Sequence, residues 1–261
     1  MSWSRQCCSC RKINRLPPIS DLHDLIVVLV HPRNPLNIGA AARAISNFGA
    51  HGLRLVNPFN VAFREAKSAV GAASVLQSAQ EFETLAQAVA DCTLVVGATA
   101  VRDRVLNNPL RRLQEESGRT IRSHLQVGKV ALLFGSEKFG LSNQDFSHCH
   151  WLLNIPTREE HISMNLGQAV AVCLYELARS DSADSPPETS DPATAGTMEQ
   201  IAEGLLESLK TSGYVKPGND LVSEKKVRRL LLRLNLHAGD AKVLLGMVRQ
   251  IVWKLRQTSK S

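Results

Sequence analysis

The sequence predicts an α/β protein built on a parallel sheet, and two observations carry that expectation. Five short apolar runs recur between residues 25 and 155, and stretches of helical periodicity fall between them. Strands alternating with helices are the pattern of a parallel sheet covered on both faces. With 261 residues and 44% hydrophobic content, the chain can bury a substantial core, as one large domain or one with an appendage.

The elements follow in order. Leu25-Ile-Val-Val-Leu-Val30 reads as a buried strand, followed by an Ala-rich helix at about 38–48 and a strand at Leu53 to Val56. A helix is expected at about 81–90, then strands at Thr93 to Val96, Val130 to Phe134 and Trp151 to Ile155. The next helix, at about 164–179, carries Leu166, Val170, Cys173, Leu174 and Leu177 as a core-facing stripe. After Arg179 the composition turns acidic and rich in Ser and Pro through Pro192, with no large apolar residue, which marks a linker. Further helices are expected at about 198–211, 222–235 and 238–257. The resulting organisation is a basic extension over 1–22, an α/β domain over 23–180, a linker over 181–196 and a small helical domain over 197–257.

The net charge of +7 is unevenly distributed: +3 in residues 1–22, +2 in 23–180, −4 in 181–196 and +6 in 197–261. Basic ends suit a nucleic-acid partner, whose binding responds to local fields. No apolar run approaches the ~18 residues of a membrane helix. Residues 1–22 hold no apolar core of signal-peptide length, so a cytoplasmic protein is expected. Cys92, Cys149 and Cys173 lie in apolar segments and read as reduced and buried. Cys7, Cys8 and Cys10 lack a second ligand pair at zinc spacing, and His148-Cys149-His150 beside a strand start reads as packing. No metal is expected.

Three segments hold the candidate chemistry, each where a strand ends, which is where parallel sheets build sites. In His31 to Gly49, Asn37 and Arg43 are placed on the first helix so that both reach toward the strand's carboxyl end. A purely structural reading makes Asn37 a helix cap and Arg43 a solvated residue. In Phe134-Gly-Ser-Glu-Lys-Phe-Gly-Leu141, Gly135 and Gly140 permit a tight backbone close to a ligand, with Glu137 inside the loop. The third segment runs from Asn154-Ile-Pro-Thr157 to His161-Ile-Ser-Met-Asn165, where Ser163 or Asn165 can cap the following helix. Neither G-x-G-x-x-G after a strand nor G-x-x-x-x-G-K-[ST] is present, which removes support for dinucleotide binding and nucleotide hydrolysis.

Taken together, in this order and spacing, the three segments resemble the SpoU (TrmH-type) RNA ribose 2′-O-methyltransferases of the SPOUT superfamily across about residues 24–179. Asn37-x-Gly-x-x-x-Arg43 and Ser163-x-Asn165 match the ribose-modifying branch and disfavour base methylation. Gly213-Tyr-Val-Lys-Pro217 and Lys225-Lys-Val-Arg-Arg-Leu-Leu-Leu-Arg233 resemble the C-terminal extension of the TrmJ-like tRNA methyltransferases.

The resemblance implies a sheet domain whose C-terminal part forms a trefoil knot, the knot providing the pocket for S-adenosylmethionine. Its contacts would be Ala98, Thr99, Ala100, Gly135, Ile155, Ile162, Ser163 and Met164, Met164 standing where Leu is usual. Asn37, Arg43, Glu137, Ser163 and Asn165 match catalytic positions. A guanidinium with a pKa above ~12 is a hydrogen-bond donor rather than a base. Arg43 is therefore expected to orient an RNA phosphate and stabilise developing alkoxide charge, with Asn37 and Asn165 fixing it. In the C-terminal helix, Val227, Leu230, Leu231 and Leu234 are expected on one side and Lys226, Arg229 and Arg233 along another, as an RNA phosphate surface. A homodimer acting on tRNA, at anticodon-loop position 32, is also implied. The alternatives are the same reaction on ribosomal RNA, and an inactive RNA-binding protein of this fold.

Overall fold

A computed structural model describes residues 22–50, 52–59, 73–100, 106–179, 191–216 and 218–258. Residues 1–21 of the basic extension, with Cys7, Cys8 and Cys10, and most of the expected linker lie outside these residues. Among the described residues the elements are β1 (Leu25–Val30), α1 (Pro35–Phe48), β2 (Gly52–Val56), α2 (Ala73–Gln77), β3 (Gln80–Phe82), α3 (Leu85–Ala88), β4 (Cys92–Ala98) and β5 (Leu110–Arg112). They continue with α4 (Glu115–Leu125), β6 (Lys129–Phe134), α5 (Asn143–Phe146), β7 (Trp151–Asn154), a short 3-10 turn (Glu159–His161), α6 (Leu166–Arg179), α7 (Ala195–Thr211), α8 (Asp220–Arg233) and α9 (Ala238–Thr258).

The strands form one sheet in the order β3-β2-β1-β6-β4-β7-β5, and every neighbouring pair is parallel. All six β1 residues are buried, as expected of a central strand covered on both faces. Alternation with period two divides them between two cores. Leu25, Val27 and Leu29 pack with Ile38, Ile45, Val170 and Leu174 of α1 and α6, whereas Ile26, Val28 and Val30 pack with Leu85, Leu141 and Phe146 on the opposite face. The Leu166, Val170, Cys173, Leu174 and Leu177 stripe is buried as the periodicity predicts.

Local sequence rules set the boundaries. The Asn34 side chain caps α1 by accepting from the Leu36 N–H at 2.9 Å, Pro35 takes the first turn, and Gly49 ends the helix at φ 73°. The cap is thus Asn34 and not Asn37. The expected helix at 81–90 splits: Gln80–Phe82 is recruited as an edge strand by β2, and a capping box between Thr84 and Gln87 starts a single turn afterwards. β5 is exposed and α4 is mostly polar, so neither carries the apolar periodicity that reveals an element.

The C-terminal helices have their own core, in which Met198 and Ile201 meet Leu231, Leu232, Val248 and Val252. They also dock on the sheet domain. The Gly196 N–H bonds Ala90 O at 2.9 Å, and a Cβ on Gly196 would lie 2.8 Å from that oxygen. Arg228, buried in α8, bonds Glu199, Glu224 and Ser147. Burying that guanidinium in a carboxylate cradle sets the rotation of α8. Consequently Leu231 and Leu232 face inward, while Leu230 and Leu234, expected on the apolar side, are 53% and 52% exposed. Among the described residues no helix is long and apolar enough to cross a membrane.

The imidazole of His150 accepts the Val95 N–H at 3.1 Å, immediately before β7. Cys149 is buried against Gly97, and among the described residues no cluster of three His, Cys, Asp or Glu could hold a metal. Burial pushes His150 down to about 4, and His148 likewise, with Arg228 contributing at His148. Both therefore stay neutral when folded at pH values where the unfolded chain takes up protons. Stability should fall as the pH drops from about 6.5 toward about 4. Urea denaturation between pH 7 and pH 5 should show that loss, with a shallower slope in a His150→Gln variant.

Candidate active site

The strand order does what sequence order conceals: it places the carboxyl ends of β1, β6, β4 and β7 side by side. The loops leaving them enclose a cleft of about 870 Å³, counted to its open mouth. Its walls include Ala98, Thr99 and Ala100 after β4, Gly135 after β6, Ile155 after β7, and Ile162, Ser163 and Met164 ahead of α6. All eight residues expected to hold a methyl donor thus converge on one cavity. Ser136, Lys138, Phe139, Leu141 and Thr157 also line it and were not singled out from sequence. Their signal was position, since each lies within the 134–141 or 154–157 segment.

The loop after β6 is held tightly. Ser136 and Gly140 form an antiparallel bridge, with the Gly140 N–H donating to Ser136 O at 2.8 Å. A Cβ on Gly135 would lie 2.0 Å from the Gly140 carbonyl carbon, so only glycine permits the two backbones to meet. Gly140 itself sits at φ 66°, in the left-handed region.

Glu137 fastens this loop to the start of α1. Its carboxylate accepts the Arg33 N–H at 3.2 Å, the Asn34 N–H at 3.1 Å and the Asn37 amide at 3.0 Å. Partial burial alone would raise the Glu137 pKa, but the bonds from Asn37 and from backbone N–H groups outweigh it and hold the carboxyl below its ordinary value. Asn37, only 7% exposed, accepts in turn from Asn165 Nδ2 at 2.8 Å. Asn165 also caps α6, its Oδ1 accepting the Gln168 N–H at 3.3 Å. Asn165 thus both caps α6 and holds Asn37.

Ser163 faces the cleft and is exposed. Arg43 stands on another side of α1. It lies six residues beyond Asn37 and is exposed. At ~100° per residue it projects about 120° around α1 from Asn37. Asn37 donates to Glu137 and accepts from Asn165. On α8, Lys226 and Arg233 are exposed, and Arg229 is partly buried.

A sequence profile described as the SpoU rRNA Methylase family matches residues 24–175. The chain belongs to the SpoU rRNA methylase family. Within it, the chain is 33% identical over 238 residues to the tRNA (cytidine/uridine-2′-O-)-methyltransferase TrmJ of Sodalis glossinidius, covering 88% of this chain and 92% of that one. It is 32% identical to the TrmJ of Klebsiella pneumoniae, over 88% and 97% of the two chains. Among solved structures, the crystal structure of TrmJ from Z. mobilis superposes with a TM-score of 0.75 at 33% identity, covering 87% of this chain and 98% of that one. The SpoU methylase match covers the three motif segments, and the solved TrmJ similarity extends through most of the chain.

If Glu137 is the anchor, a second carboxylate beside it should be worse than a missing amide. Asn37→Ala is expected to lower unfolding free energy by about 1–3 kcal/mol, the usual effect of stranding a bonded polar group. Asn37→Asp should cost more at pH 7, and the difference should close in acid as the pair takes up a proton. Urea unfolding of both variants at pH 7 and pH 4.5 measures this.

Proposed function

We propose that the protein transfers a methyl group from S-adenosylmethionine to a ribose 2′-hydroxyl of tRNA, with anticodon-loop position 32 as the target. The observation that carries this reading is the convergence of Ala98, Thr99, Ala100, Gly135, Ile155, Ile162, Ser163 and Met164 on one cleft. The TrmJ names of its relatives favour tRNA over ribosomal RNA. Retention of Asn37, Arg43, Glu137, Ser163 and Asn165 favours an active enzyme over an inactive RNA-binding protein.

The lining fits the donor's chemistry. Small and apolar side chains suit an adenine and a thioether-like chain, and Thr99, Thr157 and Ser163 offer hydroxyls to its polar groups. When bound, the cofactor supplies an electrophilic methyl on a sulfonium centre. The protein's task is then positional. The loop from Gly135 to Gly140 and the start of α6 hold the cleft's two sides in register through Glu137, Asn37 and Asn165. The Arg43 guanidinium, a hydrogen-bond donor, orients the RNA phosphate and stabilises the negative charge that grows on the hydroxyl oxygen as its proton passes to solvent.

Phosphate binding extends to α8. Arg228 is neutralised by Glu199 and Glu224, whereas burial and the neighbouring Arg233 both lower the Arg229 pKa. That mutual repulsion among Arg229 and Arg233 supports a local positive field able to take RNA phosphates, together with Lys226. A homodimer is also proposed, supported by the exposed apolar Val172 and Tyr175 of α6, which packs beside the helix carrying Arg43. The chain re-enters the sheet as β6 between β1 and β4, and again as β7 between β4 and β5, before α6 returns to α1. This re-entry supports a knotted C-terminal part. Cytoplasmic tRNA would be met by a cytoplasmic enzyme.

The test is nucleoside mass spectrometry of unmodified tRNA incubated with S-adenosylmethionine. The wild type should yield a 2′-O-methylated nucleoside that maps to position 32, and Arg43→Ala should lose at least about 100-fold in rate, as for removal of a group that stabilises developing charge. A product confined to ribosomal RNA, or none from either RNA, would contradict the proposal.

A further inference from the structure

Phe139 lies in the Gly135 to Gly140 loop that forms one wall of the cleft. It lines the cleft, yet it is 61% exposed. Its backbone is firmly mounted: the Phe139 N–H donates to Ser136 Oγ at 3.4 Å, and the next residue closes the Ser136–Gly140 bridge. The Lys138 ammonium lies 5.1 Å from the centroid of the Phe139 ring. Arg33, whose backbone N–H is bonded to Glu137 of the same loop, is also exposed.

An aromatic ring held on a rigid turn beside a cationic side chain is the combination that takes unstacked nucleotides: the ring stacks the base, and the cation meets a backbone phosphate. Mean placement within the site separates this role from methyl-donor binding. The cleft interior is built from small and aliphatic residues such as Ala98, Ile155 and Met164, while the Phe139 ring stands largely in solvent at its mouth.

Resting on the methyltransferase reading above, we propose that Phe139 is the stacking platform for the base of the nucleotide whose ribose is methylated, with Lys138 engaging the adjoining phosphate. Stacking needs only a π-face, so this contact positions the nucleotide without selecting its sequence. It fixes the target ribose over the cleft, and the identity of the RNA is left to contacts elsewhere.

The experiment compares wild type, Phe139→Ala and Phe139→Trp on unmodified tRNA, and on the same RNA lacking the base at the position the wild type methylates. The alanine variant should lose about ten-fold or more in kcat/KM, mostly through KM, at unchanged calorimetric affinity for S-adenosylmethionine, and tryptophan should restore it. Removing the base should bring wild type down to the alanine variant and leave that variant unaffected. Equal penalties from the missing base in both proteins would overturn the proposal, as would an alanine variant that keeps wild-type kcat/KM. A loss confined to methyl-donor affinity would assign the ring to the cofactor instead and equally overturn it. A wild type that makes no 2′-O-methylated nucleoside would defeat the underlying reading, an outcome separate from these three.

Discussion

The Glu137 carboxylate accepts two backbone N–H groups and one side-chain amide from the start of α1, and through Asn37 it reaches Asn165 at the start of α6. Three segments more than 25 residues apart in sequence are thereby tied at one point on the sheet's carboxyl edge. A bonded carboxylate of this kind is costly to leave half-satisfied, so the network favours a single arrangement of all three. The cleft owes its shape to that arrangement. The loop after β6 supplies one wall and residues 162–164 another, and neither has a regular element of its own to hold it in place.

The same loop continues into α5, whose following residue Ser147 accepts the buried Arg228 of α8, while Gln144 bonds Glu224. The chain therefore passes in a dozen residues from the cleft wall to the attachment point of the C-terminal helices. Their exposed cations are held at a defined place relative to the cleft, which a tether alone would not achieve. Arg228 is spent on this attachment. Lys226 and Arg233 of α8 remain at the surface.

The central strands were legible because each is buried on both faces and reads as an unbroken apolar run, as in Leu25–Val30. The short elements were not: Leu110–Arg112 is an exposed edge strand, and α4 buries mainly polar or small residues such as Ser117 and Ser123. The helix expected at 81–90 failed because pairing with β2 outweighed local periodicity at Gln80–Phe82. At the site, the motif segments and the eight lining residues could be found by resemblance, but the partner of Asn37 could not. Its bond to Glu137 spans 100 residues and depends on β6 lying next to β1, a fact of topology. The apolar side of α8 was misassigned for a related reason: an arginine among leucines reads as surface unless its buried carboxylate partners are known.

The most direct test of this account is calorimetric titration of S-adenosylmethionine into wild type and Asn165→Asp. Aspartate keeps the α6 cap but cannot donate to Asn37, and the described lining of the cleft does not include residue 165. If the network shapes the cleft, methyl-donor affinity should fall by about ten-fold, one hydrogen bond's worth, at nearly unchanged helix content. An affinity equal to wild type would show that the cleft stands without the network and would contradict the account.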